Sequence, residues 1–453
     1  MNKVKNKLIN SNLTVFLILL STTFMINIPV GFTNSGVLAV YGSDILSIVF
    51  LVYLLHDLIV NYQNYSKFEK RSVFLSVLFL AYVFIILGAR AINGFIDTKS
   101  LMIPRVILTS AWFYILILRR IVSVDALKEG FKYFIAFVSF VSICLFFTTR
   151  PIAYQFLQSP AIRTSIQMFA YPIIMWTLIQ DYKKTNRNSD FLFMIYFTAT
   201  LIISGISSGS RINAVVIPLQ IIVIMITSIS DAKKVISKLI LGVLIGFLIT
   251  MCLYTVSFRY RIGSSRSPLF NVAENLVMKP ISEHITFVDL FGEPRYNSPS
   301  TPSDPNDIDD LNNITEESKL DSSSSRFGVW KLSIKDIKTA PIFGPGLKEY
   351  QIEYTTGSSH IVFPHNFILE YTLGFGLIGL LLFLISVLYP LYHLIKKLMP
   401  NIVDNLGYLL IVAVTLMAIG ANILFQPLLL NPPVTLLIYG IIGFLVRYNL
   451  DEQ

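Results

Sequence analysis

Long apolar runs alternate with short polar segments along most of this chain. A helix needs about 20 consecutive, predominantly apolar residues to cross the hydrocarbon of a bilayer. Runs that approach this length lie at 12–30, 37–60, 72–94, 101–121, 130–149, 162–181, 190–208, 211–229, 236–258, 366–392, 404–427 and 431–447. The pattern therefore predicts an all-α fold, a polytopic membrane helix bundle of about twelve transmembrane helices.

One polar segment is much longer than the others and separates the ninth predicted helix from the tenth. It divides the chain into nine transmembrane helices within 1–258, a large loop at 259–364, and three transmembrane helices within 365–453. The part at 297–325 is rich in Ser, Pro, Asp and Asn and poor in apolar residues, which predicts a flexible segment.

An amphipathic helix is predicted at 326–338, directly after that flexible segment. Its apolar residues recur at helical spacing and are Phe327, Trp330, Ile334 and Ile337. A second stripe consists of Lys331, Lys335 and Lys338. Two placements fit this pattern: the helix either packs half-buried against the bundle or lies in the membrane interface.

Basic residues gather in alternate connections between the predicted helices. They are Lys67, Lys70, Arg71, Arg119, Arg120, Lys128, Lys132, Lys183, Lys184, Arg187, Lys233, Lys234, Lys238, Lys396 and Lys397. Because cytoplasmic loops carry an excess of Lys and Arg, we expect these connections and both termini to face the cytoplasm. We also expect the first helix to be retained rather than cleaved. The large loop then lies on the extracytoplasmic side.

The composition excludes an ordinary soluble domain, since 54% of the 453 residues are hydrophobic and only 14% are charged. The formal net charge of +9 does not indicate nucleic acid. Topology accounts for about half of the basic residues, and no nucleic-acid motif accompanies them. Cys144 and Cys252 lie inside apolar runs and indicate neither a disulfide nor a metal cluster.

A second set of cations falls at or near the extracytoplasmic ends of predicted helices, where cations are normally scarce. It consists of Arg90, Lys99, Arg105, Arg150, Arg163 and Arg211. Each alone is explained by contact with lipid headgroups or by pairing with a neighbour. As a set they favour an anionic substrate, because the planar guanidinium binds phosphate through two parallel hydrogen bonds and keeps its charge. A diphosphate leaving group fits this requirement.

Arg211 is the clearest member of this set. The polar run from Ser204 to Ser210 interrupts two apolar helices and delivers Arg211 at a helix start, where backbone amides also favour anions. Arg326 is the second choice, because it heads the predicted loop helix, and Arg163 is the third.

His365 begins the tenth predicted transmembrane helix, at the boundary between the large loop and the membrane. Histidine can act as a general base near neutral pH, although a lone histidine is more often structural. Asn366 and Glu370 share a helix face next to it, so this cluster favours a functional role. The acidic pair Asp289 and Glu293 is a weaker alternative, because it lacks a supporting pocket.

Three groups of residues resemble the O-antigen ligase and O-antigen polymerase superfamily in content and in order. They are Ser208-Gly-Ser-Arg211, then Ser325-Arg-Phe-Gly-Val-Trp330 with Pro341-Ile-Phe-Gly-Pro-Gly346, and finally Pro364-His-Asn-Phe-Ile-Leu-Glu370 with Gly374-Phe-Gly-Leu-Ile-Gly379. From the residues alone, these last glycines indicate close helix packing. The segment 297–325 looks like an insertion relative to the family.

Members of the superfamily are bacterial inner-membrane glycosyltransferases that take an oligosaccharide from undecaprenyl diphosphate on the outer leaflet. The resemblance implies an analogous donor and a metal-independent site without a cofactor. It also implies catalytic roles for His365, Arg211 and Arg326. We expect the remaining site residues to bind substrate; they are Arg163, Arg105, Arg90, Asn366 and Glu370.

The predicted function is that of a polysaccharide polymerase for O-antigen, capsule or exopolysaccharide, in the bacterial cytoplasmic membrane. Its predicted partners are the lipid-linked oligosaccharide and the bilayer, with a polysaccharide flippase and a chain-length regulator as candidates. An O-antigen ligase shares the motifs and remains an alternative. A flippase or transporter is less favoured, because charges cluster at one surface instead of the bilayer midplane. A scaffold or adhesion protein would not need one-sided arginines.

The assigned orientation predicts which loops react with a membrane-impermeant thiol reagent in intact cells. A cysteine introduced as Ser300→Cys in the large loop should be labelled, whereas Asp231→Cys, beside Lys233 in a basic loop, should not. Labelling at Asp231→Cys would contradict the orientation.

Overall fold

The computed structural model describes residues 12–23, 27–33, 36–92, 102–146, 160–208, 210–228, 232–256, 324–347, 350–353, 359–362, 364–424 and 432–451. Helices account for most of these residues. In the first half of the chain they are α1 Asn12–Thr23, α2 Gly42–Asn61, α3 Lys67–Ile92, α4 Met102–Leu118, α5 Val124–Phe146, α6 Pro160–Thr185, α7 Asn188–Ser207, α8 Arg211–Thr227 and α9 Ala232–Val256. The others are α10 Ser324–Thr339, α11 Phe367–Leu398, α12 Ile402–Ile423 and α13 Pro432–Asp451.

Each predicted apolar run overlaps one of these helices, and α10 lies where the amphipathic helix is expected. Five segments are long and apolar enough to cross a membrane; they are Ile45–Asn64, Lys67–Arg90, Asn188–Ile206, Lys234–Leu253 and Phe367–Ile423, the last containing both α11 and α12. Shorter apolar helices lie at Val106–Leu118, Ile212–Thr227 and Val434–Tyr448. The helical membrane class is confirmed, while the count of twelve spans stays a prediction.

Two short antiparallel hairpins accompany the helices. Strands β1 Asn27–Thr33 and β2 Gly36–Tyr41 pair with each other, as do β3 Tyr350–Glu353 and β4 Ser359–Val362. The predicted helices 12–30 and 37–60 are therefore wrong at their facing ends. Proline and glycine at 29 and 31 disfavour a helix, and the neighbouring Val, Ile and Phe residues favour strands.

Helices α4 and α13 form the centre of the bundle and pack against each other. Every residue from 434 to 446 that the structure describes is buried, and so are most residues from 106 to 118. A helix that is apolar all round is stable only when other apolar elements surround it. The outer helices, such as α2 and α9, instead carry many exposed large apolar side chains, as expected of surfaces that face lipid.

An ion cluster joins the predicted cytoplasmic ends of four helices. Arg119 donates to Asp57 at 3.0 Å and to Glu69 at 3.1 Å, and Arg447 donates to Glu69 at 2.7 Å. Ser66 and Glu69 also cap α3 reciprocally, through bonds of 2.8 and 3.2 Å. These contacts fix the ends of α2, α3, α4 and α13 relative to one another. They lie at the end of α3 opposite to Arg90, and so at the end of the bundle opposite to the candidate site.

Candidate functional site at the head of helix α11

His365 lies in a turn that precedes α11, and its backbone φ of 53° is in the left-handed region. A residue with a side chain adopts this conformation only when the surroundings compensate its cost. Asn366 follows as the N-cap, and its side-chain oxygen accepts hydrogen bonds from the amides of Ile368 at 3.0 Å and Leu369 at 3.3 Å. Asn366, a predicted substrate-binding residue, thus also caps the start of α11.

Glu370 lies one helical turn below His365 and is only 1% exposed. The backbone amides of His365 and Asn366 are close enough to its carboxylate to form hydrogen bonds. Its Oε1 atom has no hydrogen-bond partner among the residues that the structure describes. The carboxyl group therefore supports the turn that presents His365, and one of its oxygens remains available for a further hydrogen bond.

The loop helix α10 contacts the same turn. The indole nitrogen of Trp330 donates to the carbonyl of Pro364 at 2.6 Å, immediately before His365. Val329 on α10 forms a small buried cluster with Tyr350 and Leu373. Helix α10 therefore packs half-buried against α11, and its inward residues differ in part from the predicted stripe. Its position relative to the membrane interface stays a prediction. Phe327 and Ile334 of that stripe are exposed.

A hydrogen bond between side chains ties α10 to strand β3. Burial raises the pKa of Tyr350 to about 12, so its hydroxyl stays protonated and donates to the Asp336 carboxylate at 3.1 Å. The large loop thus contains an ordered part, formed by α10, the following turn and the β3–β4 hairpin.

Helix α11 is interrupted at Gly376, where the backbone angles are φ 69° and ψ −175°. The turn from Pro341 to Gly346, which we call the docking turn, fills the interruption. The carbonyl of Pro341 accepts from the Leu377 amide at 2.9 Å, and the amide of Gly346 donates to the Leu373 carbonyl at 2.9 Å. From α3, the Tyr82 hydroxyl donates to the Phe375 carbonyl at 2.8 Å. The Leu373 and Phe375 carbonyls and the Leu377 amide are therefore bonded despite the break.

Glycine is required on both sides of this contact. A Cβ atom at Gly376 would overlap the Ile342 carbonyl, and one at Gly344, where φ is 78°, would overlap the Leu373 carbonyl. The two glycine motifs thus form one structural unit. The predicted role in close packing holds for Gly376, but its partner is the docking turn instead of another helix.

Arg90, at the end of α3, also holds the docking turn. Its guanidinium donates to the carbonyls of Gly344 at 3.1 Å and Phe343 at 3.4 Å. This predicted substrate-binding residue has a structural role here. The two carbonyls carry no net charge, so these contacts leave its positive charge in place.

Arg163 lies in the first turn of α6 and is 5% exposed. Its neighbours show which helix ends meet at this level. The Thr164 hydroxyl donates to the Ser204 carbonyl of α7 at 2.9 Å, and Ser165 donates to Asn422 of α12 at 3.4 Å. The start of α6 therefore lies at the same end of the bundle as the ends of α7 and α12. The start of α11 is at this end too, because α12 returns antiparallel to it.

Arg211 is the first residue of α8, after the N-cap Ser210. The Ser208 hydroxyl shapes the preceding turn by accepting from the Ser210 amide at 3.3 Å and from the Asn213 side chain at 2.9 Å. Because α8 begins where α7 ends, the backbone of Arg211 is at the same end of the bundle as Arg163.

Arg326 belongs to the first turn of α10, four residues before Trp330, so its backbone lies one helical turn from the contact with Pro364. Arg105 lies in the first turn of α4. The side chains of Arg105, Arg211 and Arg326 are outside the described part of the structure, as are Lys99, Arg150, Asp289 and Glu293 in full. Most of the predicted flexible segment 297–325 is also outside it.

The structure thus brings one end of each of several helices together with His365. Arg90, Arg163 and the backbone of Arg211 share this end of the bundle with the head of α11. Among the described residues, no three histidine, cysteine or acidic side chains are grouped as ligands for a metal ion. The arrangement offers a histidine in a supported turn, a buried carboxylate and several cations.

Comparison with known families identifies the part of the chain that contains this site. Residues 196–384 match the family model described as O-antigen ligase. This segment is therefore similar to the O-antigen ligase family. It contains Arg211, Arg326, His365 and both glycine motifs. Comparison with curated proteins gives no match.

The match confirms the resemblance to the O-antigen ligase and polymerase superfamily. Together with the apolar helices, it supports a multi-pass membrane protein and an enzyme of a glycosyltransferase-like membrane family. Sequence reasoning missed the roles of Tyr82 and Trp330 in supporting the site. In the sequence, only Trp330 could have been recognised as a supporting residue, because it lies in the same family-like motif as Arg326.

The break in α11 generates a prediction about stability with a matched control. Gly376→Ala should destabilise the folded protein by about 1–3 kcal/mol, because it adds a Cβ at a left-handed position against a carbonyl. Thermal unfolding of the purified protein in detergent measures the change. Gly374→Ala is the control, since a Cβ there meets nothing within 4 Å. Equal losses for the two variants would show that the docking turn does not constrain Gly376.

Proposed function

We propose that this protein is a polysaccharide polymerase for O-antigen, capsule or exopolysaccharide. It transfers oligosaccharide repeat units from undecaprenyl diphosphate to an acceptor sugar hydroxyl, at the outer face of the bacterial cytoplasmic membrane. The observation that carries the proposal is the supported turn of His365, at the end of the bundle where Arg90, Arg163 and Arg211 also lie. The segment that matches the O-antigen ligase family model contains this turn and Arg211.

The chemistry requires a proton acceptor and a site for a departing diphosphate. In the proposed step, the acceptor hydroxyl oxygen forms a bond to the anomeric carbon, and its proton passes to the imidazole of His365. The bond between that carbon and the diphosphate oxygen breaks, and its electron pair leaves with the diphosphate. Direct displacement of this kind inverts the anomeric centre.

Arg211 and Arg326 are proposed to stabilise the diphosphate as its charge grows. Electrostatic help of this type is strongest where water is excluded, and loss of one donor can cost about 10² to 10³ in rate. Arg163, Arg105 and Arg90 would add positive potential around the donor. Arg90 can do so while it holds the docking turn, because its bonds to carbonyls do not neutralise it.

Asn366 and Glu370 are proposed to orient the acceptor as well as the turn. The oxygen of Asn366 is committed to the helix cap, so its NH₂ group is the part that would reach a sugar. The second oxygen of the Glu370 carboxyl group would form a hydrogen bond with a sugar hydroxyl. A flippase and a chain-length regulator are proposed as partners that supply the donor and limit the product.

The main alternative is an O-antigen ligase that transfers finished polymer to a final acceptor, since the matched family carries that description. A gel of polysaccharide from a deletion strain separates the two functions. A polymerase predicts that the ladder collapses to one repeat unit, whereas a ligase predicts long polymer that lacks its final anchor. An unchanged ladder would contradict both, whereas loss of the single repeat unit together with the ladder would favour the less supported flippase or transporter.

A purified system tests the role of His365 directly. With a lipid-linked repeat unit in nanodiscs, His365→Ala should lower turnover by about 10² to 10⁴-fold while donor binding is nearly unchanged. His365→Gln retains a hydrogen-bonding side chain but cannot take the proton, so it should remain slow. Near-normal turnover of His365→Gln would eliminate the general base and leave only orientation of the acceptor.

His393 offers a matched control for this experiment, because it lies in the same helix α11 near the opposite end, beside Lys396 and Lys397. His393→Gln should keep turnover within a factor of about two, because His393 stacks on Phe68 at a ring distance of 4.5 Å, far from His365, and loss of one such half-buried contact costs little. An equal loss in His393→Gln and His365→Gln would indicate general damage to α11.

A further inference from the structure

The docking turn carries two large apolar side chains that the protein does not cover. Ile342 is 52% exposed and Phe343 is 56% exposed, although the backbone of the turn is fixed by hydrogen bonds to α11 and Arg90. Leu377, which bonds to the turn, is 54% exposed. The exposed face of the turn is therefore continuous with the exposed apolar face of a membrane-spanning helix.

The length of α11 places this face relative to the bilayer. With a rise of 1.5 Å per residue, about 20 residues cross a hydrocarbon layer of about 30 Å. The basic end of the helix is marked by Lys396 and Lys397. Counting about 20 residues back from Lys396 reaches Gly376. The break and the docking turn therefore lie at the border of the hydrocarbon on the side of the large loop.

Helix α3 gives the same level independently. About 19 residues separate Arg71 from Arg90, which corresponds to roughly 28 Å of helix. Both residues are cations at the ends of one span, so the hydrocarbon lies between them. Arg90 donates to the carbonyls of Phe343 and Gly344. The hydrocarbon border estimated from α3 therefore coincides with the border estimated from α11, at the docking turn.

We propose that the docking turn is an interfacial anchor, whose Ile342 and Phe343 side chains insert among the lipid acyl chains at this border. Amphipathic segments bind membranes in this way, through apolar groups at the acyl boundary and basic groups among the headgroups. The basic groups are present on α10, where Lys335 and Lys338 are exposed in the turns that precede the docking turn. They favour anionic phospholipids as the neighbouring headgroups.

The anchor sets the height of the candidate site above the membrane. The nine helical residues from 367 to 375 raise His365 by up to about 14 Å above the hydrocarbon border. The headgroup layer on one side of a bilayer is about 5–8 Å thick. If the proposed function holds, the diphosphate of the donor lies in this layer, and the sugar that it carries reaches the level of His365.

Spin-label accessibility tests the anchor without any assay of turnover. In a background with Cys144→Ser and Cys252→Ser, single cysteines are introduced as Ile342→Cys and Phe343→Cys and labelled. Lys331→Cys, at an exposed position in the part of α10 distant from the docking turn, is the aqueous control. Leu388→Cys, at an exposed position of α11 within the membrane, is the hydrocarbon control. The protein is measured in nanodiscs of phosphatidylethanolamine and phosphatidylglycerol, with oxygen and a water-soluble nickel complex as collision partners.

The ratio of oxygen to nickel collisions at Ile342→Cys and Phe343→Cys should be several-fold higher than at Lys331→Cys, and lower than at Leu388→Cys. Ratios equal to that of Lys331→Cys would overturn the anchor. The outcome is independent of the proposed function, because a chain without polymerase activity would still show the labels at the lipid border. Conversely, an active enzyme with aqueous labels would disprove the anchor alone.

Discussion

A backbone amide or carbonyl that reaches hydrocarbon must find a partner within the protein, because lipid offers none and each unsatisfied group costs several kcal/mol. Helix α11 meets this constraint in an unusual way, since it is interrupted at Gly376 beside the lipid-facing surface. The docking turn, 30 residues earlier in the chain, supplies the missing bonds, and Tyr82 of α3 adds another. The large loop is thereby attached to the membrane bundle through hydrogen bonds to backbone groups at the break in α11.

The candidate site depends on this attachment. The docking turn follows α10 directly, and α10 carries Trp330, whose indole bonds to Pro364 beside His365. The helix cap of Asn366 and the carboxylate of Glu370 then support the left-handed turn from the other side. Both segments that flank the hairpin β3–β4 are thus fixed to α11. A change at Gly376 reaches His365 through α10 as well as along α11, although the two residues are eleven positions apart.

The sequence predicted the helices well, because apolar runs of membrane length seldom occur outside transmembrane helices, but it did not predict how the loop meets the bundle. Glycine spacing shows where a backbone can approach closely, yet it does not identify which backbone, so the docking turn was not foreseen. The hairpin at 27–41 was missed because an apolar run looks alike in a helix and a buried strand. Arg119 was counted only as a loop cation, although its guanidinium is buried between Asp57 and Glu69.

The sequence also does not identify the contact partners of the arginines near the site. A comparison of the two ends of the bundle shows why these partners matter. At the basic end, Arg119 and Arg447 contact carboxylates, so their charges are locally balanced. At the end that carries His365, Arg90 contacts carbonyls that hold its guanidinium in place without neutralising it. A structural role and a role in attracting an anion are therefore compatible in one residue. Among the described residues no carboxylate pairs with Arg90, so this fixed cation beside the docking turn contributes to a positive potential at the membrane border. Such a potential would concentrate a lipid-linked diphosphate there before any specific contact forms.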